Sequence, residues 1–207
     1  TTMLLITMPT TPGLSNLAGV IREKEVVKRA MPTGVCCTDL QLPDTEMVLK
    51  QIGLSQILHL ACHGSSDPLN PFESHLVLQK STPVGPVVDH LSVSSMLAAN
   101  VRGNAWIAYL SACATAGSTS ESLADENIHL SSAFQSAGYI HVVGSFWEVS
   151  DEICVQVADV FYTSLMQNKD KFSERVVAEA LHNSVLSVRK QFPQTPRLWA
   201  TYAHFGA

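Results

Sequence analysis

Charge is scarce in this sequence. Asp, Glu, Lys and Arg together make up 15% of its 207 residues, and no run of Lys or Arg is longer than a pair. Phosphate binding needs a clustered basic footprint, so nucleic acid is not expected as the main partner. The net charge of −5 gives a mildly acidic surface that tolerates basic substrates. No apolar run approaches the ~18 to 20 residues that a spanning helix needs, so no membrane segment is expected. The opening "TTMLLITMPTTPG" has neither the basic start nor the cleavage pattern of a secretory leader. No G-x-S-x-G elbow occurs, which removes Ser111 and Ser145 as serine-hydrolase nucleophiles. Neither G-x-x-x-x-G-K-[ST] nor G-x-G-x-x-G occurs, so nucleotide binding lacks its usual cradle, and no cofactor is expected. No repeat of ~20 to 50 residues marks a solenoid.

Apolar residues, by contrast, make up 46% of the chain, enough for one domain with a substantial core. The five cysteines, Cys36, Cys37, Cys62, Cys113 and Cys154, are odd in number and follow no leader. Free thiols in a reducing, cytoplasmic compartment are therefore expected. The sequence starts directly on a strand-like run without Met, as a piece excised from a longer protein would.

Short β-branched or aromatic runs bounded by Gly, Pro, Ser or Asn predict strands at 3–8, 35–38, 56–62, 75–79, 106–112, 140–146 and 202–205. Helical spacing predicts helices at 20–30, 44–51, 93–99, 130–137, 151–167 and 173–191. The near-continuous apolar strands "ILHLA" and "WIAYL" imply burial on both faces, hence a mainly parallel, roughly six-stranded sheet flanked by helices. Loops are expected at 64–74 and 114–127, each following a buried strand. In open α/β sheets, sites form at that edge.

Two of these strands carry reactive residues at their ends. "ILHLACHG" delivers His63 and Gly64, and "WIAYLSAC" delivers Cys113. A thiol is a strong nucleophile only as thiolate, and a neighbouring imidazole can accept its proton. Gly64 permits close backbone approach, and its N–H with that of Cys113 can form an oxyanion hole. The 50-residue separation leaves room for a crossover that returns to a neighbouring parallel strand.

The paired blocks, His then Cys at ~50 residues, resemble the signature of caspases, metacaspases, gingipains and separases. More narrowly, "HLACHG", "YLSACATA", "SSAFQSAGYIHVVGSFWEVSDE", "VFYTSL" and "LWATYAHFG" resemble the CHAT domain, a caspase-like module often fused to tetratricopeptide repeats. The resemblance runs from Met3 to Gly206. It implies a single α/β domain over 1–207, a three-layer caspase-like sandwich, and hydrolysis of a protein substrate through a thioester. Cys113 is then the nucleophile, His63 the general base, and Gly64 and Cys113 the oxyanion donors. "WEVSD" resembles a separase segment whose acidic residue lines the pocket before the cut. Carried over, Asp151 leads and Glu148 follows as substrate-binding carboxylates, implying preference for Arg or Lys. Control by a domain outside these residues, such as tetratricopeptide repeats, is implied too.

Several of these residues admit plainer roles. Cys113 on its own would read as a buried structural thiol. His59, Cys62 and His63 invite a zinc site, but on a strand the two imidazoles start about 13 Å apart, so His59 is expected in the core. Cys36 and Cys37 point to opposite faces of a strand, and Cys154 reads as packing. Asp151 begins a helix and can equally serve as a cap. Asp67, Asp125 and Glu126 are weaker pocket candidates. The polar stretch 167–175 reads as a helix connection or, with Lys169 and Lys171, as an autocleavage loop. The chief alternative to a peptidase is a catalytically silent interaction module of the same fold, against which stand the intact dyad and Gly64.

Overall fold

Strands and helices alternate along the chain as β1 (Thr2–Thr7), α1 (Gly19–Ala30), β2 (Cys36–Gln41), α2 (Thr45–Ile52), β3 (Ile57–Ser65), β4 (His75–Thr82), β5 (Gly85–Ser92), α3 (Val93–Ala99), β6 (Ile107–Ala114), α4 (Ala124–Ala137), β7 (His141–Ser145), α5 (Asp151–Gln167), α6 (Val176–Gln191) and β8 (Tyr202–Phe205). The computed structural model describes residues 1–65, 67, 70–99, 101, 103, 105–114, 124–147, 150–167 and 175–206, with the backbone alone at 71, 112–114 and 124–129.

Local chemistry accounts for the element ends. The Asp44 carboxylate accepts the Met47 N–H at 2.8 Å and caps α2, whose first turn carries Glu46 and last turn Lys50. Helix α1 ends on Lys28 and Arg29, which suit the negative end of its dipole. Helix α5 buries Ile153, Val157, Phe161 and Leu165 along one stripe, the spacing that predicted it.

The sheet runs in the order β2-β1-β3-β6-β7-β8. Pairs β1–β2, β1–β3, β3–β6 and β6–β7 are parallel, and β8 closes the path antiparallel to β7. These six strands form the expected mainly parallel path, within a sheet of eight strands. An antiparallel hairpin of β4 and β5 is added alongside the far end of β3. Strand β5 escaped prediction because Pro86, Asp89 and His90 interrupt its apolar pattern, and half of its residues are exposed.

Alternation along the central strands divides the core in two. Leu4, Ile6, Leu58, Leu60, Ala108 and Leu110 pack with residues of α2, α3 and α4 on one face. Met3, Leu5, Ile57, Ile107 and Tyr109 pack with α1, α5 and α6 on the other. Both faces are covered, so these strands read as unbroken apolar runs.

Two expected loops are corrected. Strand β3 continues to Ser65 because β4 pairs with its last residues, His63 opposite Val77 and Ser65 opposite His75. Its buried end is therefore a strand, and a short helical turn at Pro71–Glu73 follows. Helix α4 starts at Ala124, within the stretch 114–127 expected to be loop. An Asp-Glu pair just inside a helix start suits the positive end of the dipole, a signal that the Ser-rich neighbourhood obscured. Residues 115–123 lie outside the described ones.

Candidate active site

The 50-residue spacing between the two motifs is the register offset of the central parallel pair. Ile57 lies opposite Ile107, and the match continues without a bulge to His63 opposite Cys113 and Gly64 opposite Ala114. Adjacent strands are about 4.8 Å apart, and directly paired positions share a face. The backbone therefore places His63 and Cys113 side by side on the α1/α5 face. Gly64 stands one residue further, between Leu76 of β4 and Ala114 of β6.

The His63 imidazole is 2% exposed, and its Nε2 lies 2.8 Å from the Ser15 carbonyl oxygen. A carbonyl can only accept, so Nε2 carries the proton and Nδ1 is the ring's basic nitrogen. A backbone carbonyl thus does what an aspartate does in other His-dependent enzymes, fixing tautomer and ring plane. Sequence reasoning found no orienting side chain and had no signal for this partner, because any residue type at position 15 supplies the same carbonyl.

Asp151, the first residue of α5, sends its Oδ2 to the Gly19 N–H at 2.7 Å, at the start of α1. Both residues border a cavity of about 20 Å³, room for about one water. His63, Glu23, Ser111, Cys62 and Cys154 also line it. Asp151 and His63 therefore border one small cavity, and the carboxylate caps the start of α1. Glu148 lies outside the described residues.

Deeper on the same face, a polar row runs through the core. His59 is fully buried, with Nδ1 3.1 Å from the Tyr162 hydroxyl and Nε2 3.3 Å from Glu23 Oε1. Its ring stacks on Tyr109 at 5.0 Å. Glu23 is 2% exposed, and neither its Oε1 nor His59 Nε2 completes a well-aligned hydrogen bond. Burial and the nearby Glu23 hold the Tyr162 phenol well above its ordinary pKa. His59 is thus a core residue, as expected. Glu23 was missed, although its place between Val20 and Val27 on the buried stripe of α1 marks it as inward-facing.

The remaining candidates disperse. The Asp67 carboxylate accepts the Asn70 N–H at 2.9 Å within its own turn. Of Asp125 and Glu126 the backbone alone is described, in α4. Cys36 is exposed and Cys37 half-buried. Cys154 packs against the cluster of Ile153, Val157 and Val188, and the Tyr202 hydroxyl lies 3.8 Å from its sulfur. Lys169 and Lys171 of the suggested autocleavage loop lie outside the described residues. Among the described residues, no three His, Cys, Asp or Glu side chains gather as metal ligands, and no helix is long and apolar enough to cross a membrane.

The chain matches the CHAT domain family model over residues 2–207. No curated protein sequence matches it significantly. Its fold is similar to that of the Arg-specific cysteine proteinase gingipain R, with TM-score 0.57 and 11% identity over 99% of this chain and 46% of that one. It is also similar to the complex of Porphyromonas gingivalis RgpB pro- and mature domains, with TM-score 0.60 and 11% identity over 99% of this chain and 47% of that one. The Drosophila initiator caspase Dronc matches with TM-score 0.56 and 9% identity over 99% of this chain and 78% of that one. The chain spans about half the length of the gingipain chains. At these identities the likeness is one of fold.

Proposed function

Because the chain belongs to the CHAT domain family, with the fold of caspase-like cysteine peptidases, we propose that it is a cysteine endopeptidase with Cys113 as nucleophile and His63 as general base. One observation carries this assignment. The unbroken β3–β6 register sets His63 directly opposite Cys113, and the Ser15 carbonyl holds the imidazole as the tautomer whose Nδ1 accepts a proton.

The proposed cycle begins at the thiol. His63 Nδ1 takes the Cys113 thiol proton, and the sulfur attacks the peptide carbonyl carbon. The carbonyl oxygen becomes an oxyanion held by the backbone N–H groups of Gly64 and Cys113. His63 then gives its proton to the leaving amine, the C–N bond breaks, and a thioester remains on Cys113. Water, deprotonated by His63, hydrolyses the thioester and restores the thiol. Nothing in these steps calls for a cofactor.

Within the same proposal, Asp151 supplies negative charge beside His63 for an Arg or Lys before the cut, with Glu148 second to it. The likeness in fold to gingipain R, an Arg-specific cysteine proteinase, supports this preference. A protein substrate in the cytoplasm, and control by a domain outside these residues such as tetratricopeptide repeats, complete the proposal. The test is a peptide library varied at the residue before the cut, given to wild type, Cys113→Ala and Asp151→Ala. Turnover after Arg or Lys that vanishes in Cys113→Ala and loses its basic preference in Asp151→Ala is the expected result. Cys113-dependent turnover after apolar residues would discard the pocket and keep the enzyme.

A further inference from the structure

We infer that Asp151 is also a positioning residue for His63, acting through the N-terminus of α1. The inference rests on the peptidase assignment and concerns how that dyad is held. Helix α1 begins without a cap of its own, since its N-cap residue Ala18 makes no side-chain hydrogen bond. The Gly19 N–H is taken instead by Asp151 Oδ2 at 2.7 Å, from the start of a helix 132 residues further on. Only glycine allows the approach, because a Cβ at position 19 would lie 2.6 Å from the Asp151 Cγ.

Residues 16–18 alone separate this anchor from Ser15, whose carbonyl accepts the His63 Nε2–H. The short connection is itself tied down, with Leu17 N–H on the Pro9 carbonyl at 2.9 Å and Val20 N–H on the Leu17 carbonyl at 3.3 Å. A segment of this length has little slack, so a shift of the Gly19 anchor is passed to Ser15. Helices α1 and α5 run side by side in the same direction, joined by Arg22–Glu152 at 3.4 Å and Arg29–Asp159 at 3.0 Å. The Asp151 carboxylate therefore sits where two helix N-termini meet, an electrostatically favourable place for it.

If Ser15 moves away, the imidazole is no longer held as the Nε2–H tautomer. The proton then also populates Nδ1, the nitrogen that must accept from the thiol. Such a loss lowers kcat and the readiness of Cys113 to ionise, while leaving the charge offered to substrate in place wherever Asp151 is retained.

Gly19→Ala and Asp151→Asn separate the two roles of Asp151. The first breaks the anchor and keeps the charge; the second keeps an acceptor for the Gly19 N–H and removes the charge. The measurement is alkylation of Cys113 by iodoacetamide across pH, located by peptide mass. It is applied to wild type, His63→Ala, Gly19→Ala, Asp151→Ala and Asp151→Asn, with kcat and KM on a cleaved peptide. Gly19→Ala and Asp151→Ala are expected to move the alkylation profile toward that of His63→Ala. Gly19→Ala should also lose kcat on the order of tenfold. Asp151→Asn is expected to keep the wild-type profile. Profiles for Gly19→Ala and Asp151→Ala that superimpose on wild type, while His63→Ala differs, would overturn the positioning role alone. A His63→Ala profile identical to wild type would bring down the dyad and the positioning role with it.

Discussion

His63 and His59 lie four residues apart on one face of one strand, yet their surroundings give them different work. His63 reaches a backbone carbonyl at the sheet's edge, whereas His59 is enclosed between Glu23, Tyr162 and Tyr109. The buried Glu23 carboxyl and His59 imidazole face one another at 3.3 Å, so removing one leaves the other as a buried polar group facing less polar surroundings. Glu23→Ala is expected to lower stability by about 3 kcal/mol in urea denaturation, the usual result of orphaning a buried partner. Tyr162→Phe, which removes a single hydroxyl contact, should cost about 1 kcal/mol. Equal and negligible losses would show that the row is not coupled. At this scale the sequence was informative where a candidate site residue offers its side chain, as His63 and Cys113 do. It was silent where a carbonyl does, as at Ser15, or where a neighbour is brought in from 132 residues away, as Asp151 is to Gly19.

Among the elements, those with unbroken apolar runs or long helical stripes were legible almost to the residue. Helices α3 and α5 have the bounds their spacing predicts. Strand β5 and the first turns of α4 were not legible, because one is exposed and polar and the other follows a Ser-rich stretch. Parallel register is also hidden from local pattern, since it is fixed only once the crossover between β3 and β6 has been packed. The equality of motif spacing and register offset holds because that pairing is free of bulges. Helix ends offer a simpler test. Asp44→Ala removes the α2 cap and should cost about 1 kcal/mol, read as a lower urea midpoint with an unchanged slope. No shift in midpoint would mean that solvent replaces the cap without loss.

Taken whole, the sheet ends on β8, and its pairing with β7 is expected to weaken in acid. His141 Nδ1 and His204 Nε2 lie 3.0 Å apart across β7 and β8. Burial, then the neighbouring His204, pushes the His141 imidazole down to about 4, and burial lowers His204 as well. Unfolded histidine titrates near 6.5. Between those values the unfolded chain binds protons that the folded chain does not. Stability is therefore full above about 6.5 and falls as pH drops toward 4. Urea midpoints at pH 7.5 and 5 should differ, and His141→Asn should narrow the gap. An unchanged gap would place the acid sensitivity elsewhere.

The central claim is that this fold hydrolyses peptides through Cys113. The most direct measurement is peptide turnover by wild type and Cys113→Ala, prepared identically, with rapid acid quench and intact mass during wild-type turnover. Turnover confined to wild type, with a peptidyl adduct on Cys113 that decays as product forms, is the predicted result. Equal turnover by the two proteins, or none by either, would contradict it.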